Sequence, residues 1–115
     1  MNCCNAAIEE IGRGTTQPIY IDLPSKLEWT DVATMWVTVS QAGQEITTKT
    51  LDDIQTSEVL GVTEHFIKLD QEDTLKLDQH IDVEIQVRAS DNNGNAFKSD
   101  VETVPVGRIL KDGVI

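Results

Sequence analysis

The residues that could do chemistry in this chain are few and scattered. His65 and His80 are its two imidazoles, and neither has a Cys, a second His or a carboxylate at the spacing of a metal or nucleophile site, so both read as ordinary surface or strand-end histidines. Asp91-Asn92-Asn93-Gly94-Asn95 places oxygen-bearing side chains at alternate positions, as a calcium loop does. Its Gly94 precedes Asn95 instead of following the third ligand, however, and Ala96 stands next, so a turn is expected. Asp52-Asp53 and Asp70-Gln71-Glu72-Asp73 are too polar in context to place one carboxyl in a cleft with a perturbed proton affinity, and read as solvated faces and a helix cap. No Gly-x-Ser-x-Gly elbow occurs, and Gly12-Arg13-Gly14 is not followed by a phosphate loop. Neighbouring Cys3 and Cys4 could bridge almost no chain and lack further ligands for a metal. No catalytic residue, cofactor or metal site is therefore expected, and the chain is not expected to be an enzyme.

Composition narrows the partners. Against 9 Lys and Arg stand 20 Asp and Glu, a formal net charge of −11 in 115 residues. Such an excess repels phosphate backbones and anionic bilayers, so neither nucleic acid nor membrane is an expected partner. Aromatic residues make up only 4% of the chain, too few for a stacking platform or a broad sugar shelf. The cysteine usage fits synthesis in a reducing cytoplasm, and no export signal or membrane span is read.

The elements that must position these residues are β-strands. From Ile81 to Val87, apolar and polar residues alternate with period two, the pattern of a strand with one wet face. The Asp-Asn-Asn-Gly turn then leads into a second β run over residues 96–106, an antiparallel hairpin. A strand is expected over residues 15–23, with Ile19, Ile21 and Leu23 on one face. Pro24 to Val32 reads as a connection with one helical turn. A hairpin follows, with Met35, Val37 and Val39 inward on one arm and Ile46, Thr48 and Thr50 sharing a face on the other. Residues 51–63 give no clear signal. His65-Phe66-Ile67-Lys68-Leu69 is a strand, after which Asp70 is placed to cap the amide of Asp73.

Together these predict an all-β fold, an antiparallel, immunoglobulin-like β-sandwich with short helical turns and an extended N-terminal arm. Residues 1–14 form the arm, with a helix-compatible patch over Asn5-Ala6-Ala7-Ile8-Glu9-Glu10-Ile11, and residues 15–115 the domain. One domain of this length buries roughly two thirds of its unfolded surface. The predicted core is Ile19, Ile21, Val37, Val39, Ile67, Leu69, Val83, Ile85 and Val87. Trp36, opposite in parity to its neighbours, is expected in a second buried layer, with an interface as the alternative. Ile8 and Ile11 in the arm and Ile109, Leu110, Val114 and Ile115 in the tail are, with Trp36, the candidate interface residues.

Four segments resemble a group of small proteins encoded by phages and prophages of Gram-positive gut bacteria. They are Arg13-Gly14-Thr15-Thr16-Gln17-Pro18, Leu69-Asp70-Gln71-Glu72-Asp73-Thr74-Leu75, Glu84-Ile85-Gln86-Val87-Arg88, and the ending Val104-Pro105-Val106-Gly107-Arg108-Ile109-Leu110-Lys111-Asp112-Gly113-Val114-Ile115. The architecture is also similar to the N-terminal domain of phage baseplate upper proteins. The resemblance implies a virion structural or adaptor protein of the baseplate, tail, neck or capsid surface, made in the host bacterial cytoplasm and carried in the virion. It would act by assembly with other virion proteins, as a homo-oligomer or symmetric assembly. The alternative is a small acidic phage-encoded inhibitor of a host protein.

Overall fold

The computed structural model describes residues 10–23 and 27–115. Among the described residues ten strands run in chain order: β1 Ile11–Gly12, β2 Gln17–Tyr20, β3 Val32–Gln41, β4 Gln44–Thr50, β5 Gln55–Val59, β6 Val62–Leu69, β7 Val83–Asp91, β8 Ala96–Lys98, β9 Glu102–Val104 and β10 Val106–Gly107. One short helix, α1 Gln71–Leu75, and two 3-10 turns, Trp29–Asp31 and Leu51–Asp53, join them. Strands β2, β6 and β5 form one antiparallel sheet, and β4, β3, β7 and β8 form another, with β9 continuing on the same side of β7 as β8. The sheets enclose one core in a sandwich-like, all-β fold.

Alternation in the sequence decides which side chains enter that core. Val37 and Val39 on β3 stand opposite Val87 and Ile85 on β7, all fully buried, and Ile19 stands opposite Ile67 across β2 and β6. Every residue of the predicted core is buried, joined by Ile11, Val32, Met35, Leu77, Ala89 and Val104. Each Val, Leu, Ile or Met side chain among them contributes about 1.5–3 kcal/mol when removed from water.

Five local features depart from the sequence reading. First, the β3–β4 register shifts between Val39 and Ser40: Val39 opposes Thr47 and Ser40 opposes Glu45, leaving Ile46 as the extra residue of a bulge. The bulge reverses parity, so Ile46 packs on the core, whereas Thr48 and Thr50 share the outer face with Thr38 and Trp36. Second, residues 51–63 resolve into the Leu51–Asp53 turn and a hairpin of β5 and β6. Third, the regular strand begins at Val83, because the buried Gln41 holds the preceding chain as a turn. Its amide nitrogen donates to the carbonyls of Asp78 (2.8 Å) and Ile81 (2.7 Å), and its oxygen accepts from Asp78 N (2.8 Å). Fourth, the run after the 91–95 turn is cut in two at Ser99. Buried Ser99 Oγ accepts from Val87 N (3.0 Å) and donates to Asp100 O (2.9 Å), so a hydroxyl stands in for a strand carbonyl. Fifth, Ile11 is not part of a free arm: β1 pairs in parallel with β10, Ile11 N donating to Pro105 O at 2.9 Å, and its side chain is fully buried.

Two measurements test this packing. Ile85→Asp places an unpaired carboxylate in the core and should abolish the cooperative thermal transition; a variant that melts like the parent refutes the burial. Ser99→Ala leaves the amide of Val87 without its acceptor and should cost about 1–3 kcal/mol in denaturant unfolding, with the midpoint shifted and the slope unchanged.

Candidate functional surfaces

Directly opposed residues of an antiparallel pair lie on the same face of the sheet. The register therefore builds rows of side chains on the outer face of the larger sheet. One row reads Thr50, Trp36, Arg88 and Lys98 across β4, β3, β7 and β8, and the next reads Thr34, Ser90 and Ala96. Trp36 is 54% exposed: among the described residues no second layer covers this face, which corrects the expectation that the ring is buried. The Arg88 guanidinium lies over the indole with Cζ 5.6 Å from the ring centroid, and the hydroxyls of Thr34 and Ser90 hydrogen-bond to one another. Beside the ring, Thr34, Ser90, Ala96 and Arg88 frame a shallow cavity of about 190 Å³. Arg88 and Lys98 stand directly opposite each other, a like-charge pair of the kind that weakens a sheet.

A second exposed feature is the apex of the β5–β6 hairpin. Val59 opposes Val62 and Leu60-Gly61 make the turn, both with positive φ, +53° and +79°. That is the signature of a type I′ turn, which favours Asn-Gly or Gly-Gly because β-carbons crowd the left-handed region. Leu60 occupies the strained position all the same, 99% exposed, with Val59 and Val62 exposed beside it. Over residues 51–67 the chain carries Asp52, Asp53, Glu58 and Glu64 and no Lys or Arg.

Polar groups at the other end of the molecule are engaged structurally. Asp70 caps α1, accepting from Asp73 N at 2.9 Å, while Asp73 accepts in return from Asp70 N at 3.1 Å. Asp73 also pairs with Lys49 at 3.0 Å, a lysine brought to the inner face of edge strand β4, where it opposes Val37. Burial pushes the Asp73 carboxyl up, but the Lys49 ammonium and the Asp70 amide outweigh it and hold the carboxyl below its ordinary range. Arg13 donates from Nε to Leu77 O (2.9 Å), from Nη2 to Leu75 O (3.1 Å) and from Nη1 to Asp112, tying the tail to the loop after α1. That hydrogen bond holds the Asp112 carboxyl below its ordinary range. Gln71 completes the attachment, its amide pairing with both the nitrogen and the carbonyl of Ile115 at 2.8 and 3.1 Å.

The sequence candidates distribute accordingly. Asp91 is a turn residue: Oδ1 accepts from the amides of Asn93 and Asn95, both at 2.9 Å, and Oδ2 from the Asn95 side chain at 3.1 Å. His65 stacks on Trp29, ring centroids 4.1 Å apart, and burial pulls its pKa below 6.5. Among the described residues, no three His, Cys, Asp or Glu side chains gather where they could hold a metal. Of the proposed interface residues, Ile8 lies outside the described residues, as do Cys3 and Cys4, and Ile11 is consumed by the core. Ile109 is half-buried beside Gly14, where an added Cβ would come within 2.9 Å of Ile109 Cδ1. Trp36, Leu110, Val114 and Ile115 are exposed, and the structure does not bring Trp36 together with the tail. Sequence reasoning missed Leu60, Arg88 and Lys98; the signal for the first was a Leu60-Gly61 pair between two β-branched residues, Val59 and Val62.

No family model matches the chain, and no curated protein matches it.

Because the folded Asp73 carboxyl sits below its unfolded value near 3.8, its contribution is complete above that pH and is lost as pH falls through the folded value. Asp73→Asn should cost about 1 kcal/mol at pH 7, the usual effect of a lost cap, and the difference should shrink in acid as the carboxyl protonates. Urea unfolding at pH 7 and in acid checks it; a difference that persists unchanged in acid refutes the assignment.

Proposed function

We propose that this chain is a phage virion structural or adaptor protein, working through protein–protein assembly at the baseplate, tail, neck or capsid surface, with no reaction of its own. The observation that carries this reading is where apolar side chains meet solvent. Val59, Leu60 and Val62 cluster at a hairpin apex, Trp36 stands on an uncovered sheet face, and Leu110, Val114 and Ile115 lie along a tail pinned by Arg13 and Gln71. Single exposed apolar residues need no explanation, but clustered ones on a chain of net charge −11 argue for contact surfaces. The sandwich frame suits the role, since its rigid faces and hairpin ends present contacts in fixed geometry. The sequence resemblance to small phage proteins gives the assembly its setting, an immunoglobulin-like module made in the host cytoplasm and retained in the particle.

The acidic surface favours one competing reading, inhibition of a host protein by a soluble phage product. Quantitative mass spectrometry of purified particles separates the two. A virion component should be present at a fixed copy number matching a symmetry of the particle. Abundance in infected cells with absence from particles would overturn the structural reading and leave the inhibitor.

A further inference from the structure

We infer that the hairpin apex of one copy docks on the Trp36 face of the next, so that this chain assembles head to tail with itself. The inference rests on the assembly reading above and names the partner as a second copy. Three features of the two surfaces match. The face offers a shallow cavity of about 190 Å³ between Trp36, Arg88, Thr34, Ser90 and Ala96, and the apex offers a fully projecting leucine. A protein cavity of about 150 Å³ already holds a benzene-sized group, so a leucine side chain is of fitting size. The charges match as well: Arg88 and Lys98 crowd each other on the face, whereas the apex half of the hairpin, residues 57–64, carries Glu58 and Glu64 and no Lys or Arg. An approaching Glu58, one residue before Val59, would relieve the like-charge pair.

The third feature is conformational. Leu60, like Ala42 in the β3–β4 turn, holds a left-handed backbone that Asn or Gly adopts at less cost, but Leu60 adds to it a fully projecting large apolar side chain. Trp36 points away from the core on one sheet while the apex ends the other, so the contact joins different copies. Such a heterologous contact closes into a ring or extends as an array.

The test uses two variants, each disabling one partner surface. Leu60→Asn supplies the Asn-Gly turn that type I′ geometry prefers, so it should keep or raise the melting temperature while removing the apolar knob. Arg88→Glu reverses the charge of the face, and Trp36→Thr replaces it if that variant does not fold. In sedimentation, the parent should exceed its monomer mass of 12.7 kDa with rising concentration, less so at high salt. Each variant alone should associate about tenfold more weakly or not at all. Mixed together, the intact apex of one and the intact face of the other should restore a dimer that grows no further. A parent that stays monomeric, or association that both variants retain, overturns the inference, as does a mixture that remains monomeric. Incorporation of a strictly monomeric parent into particles would sink this contact and spare the virion reading; self-association of a protein absent from particles would do the reverse.

Discussion

The antiparallel register between β3 and β7 is the constraint on which the rest of the molecule depends. From Thr34 opposite Ser90 to Ser40 opposite Glu84, it places Met35, Val37, Val39, Ile85, Val87 and Ala89 on one face and Trp36, Thr38, Gln86 and Arg88 on the other. A slip of one residue would exchange the faces, burying an arginine and exposing the valines. The hydrophobic cost of that exchange specifies the pairing. The same register brings Trp36 under Arg88, so the stacking on the outer face is a consequence of how the core is packed, and the β7–β8 register then sets Arg88 against Lys98.

Around this pair the molecule manages its open edges and its termini. Strand β4 is an edge, and the bulge at Ile46 turns Lys49 inward to meet Asp73, an inward charge of the sort that discourages edge-to-edge pairing. Asp73 thereby serves two purposes: it closes the capping box of α1 and anchors the edge strand. The far edge is interrupted at Ser99, whose hydroxyl keeps the amide of Val87 satisfied while the chain steps from β8 to β9. The tail is fixed by Arg13, whose three contacts join residues distant in sequence. The side chains left uncovered are thus those of a framework otherwise well satisfied: no buried side-chain polar atom among the described residues lacks a partner.

A chain with so many acids and so few reactive side chains invites explanation by its surface. The apex and the outer face differ in shape and in sign of charge, and each departs from what a free-standing domain prefers, one by backbone strain and the other by paired cations. Both departures are local and leave the core untouched.

Wherever a signal was local, the sequence determined the outcome. Period-two alternation marked the core valines and isoleucines, because a strand's side chains alternate by geometry; Asp70 announced the α1 cap through a carboxylate three residues before the amide it accepts from; and the Asp91 turn followed from side chains that satisfy their own backbone. Tertiary structure decided what depends on residues distant in the chain. The bulge at Ile46 reversed the parity of half a strand, β1 found its partner at β10 some ninety-five residues away, and Gln41 ended the alternation before Val83. Trp36 shows the limit most clearly. Its parity was legible, but whether that face was covered depended on how many layers the fold builds, a property of the assembled sheets that no local pattern carries.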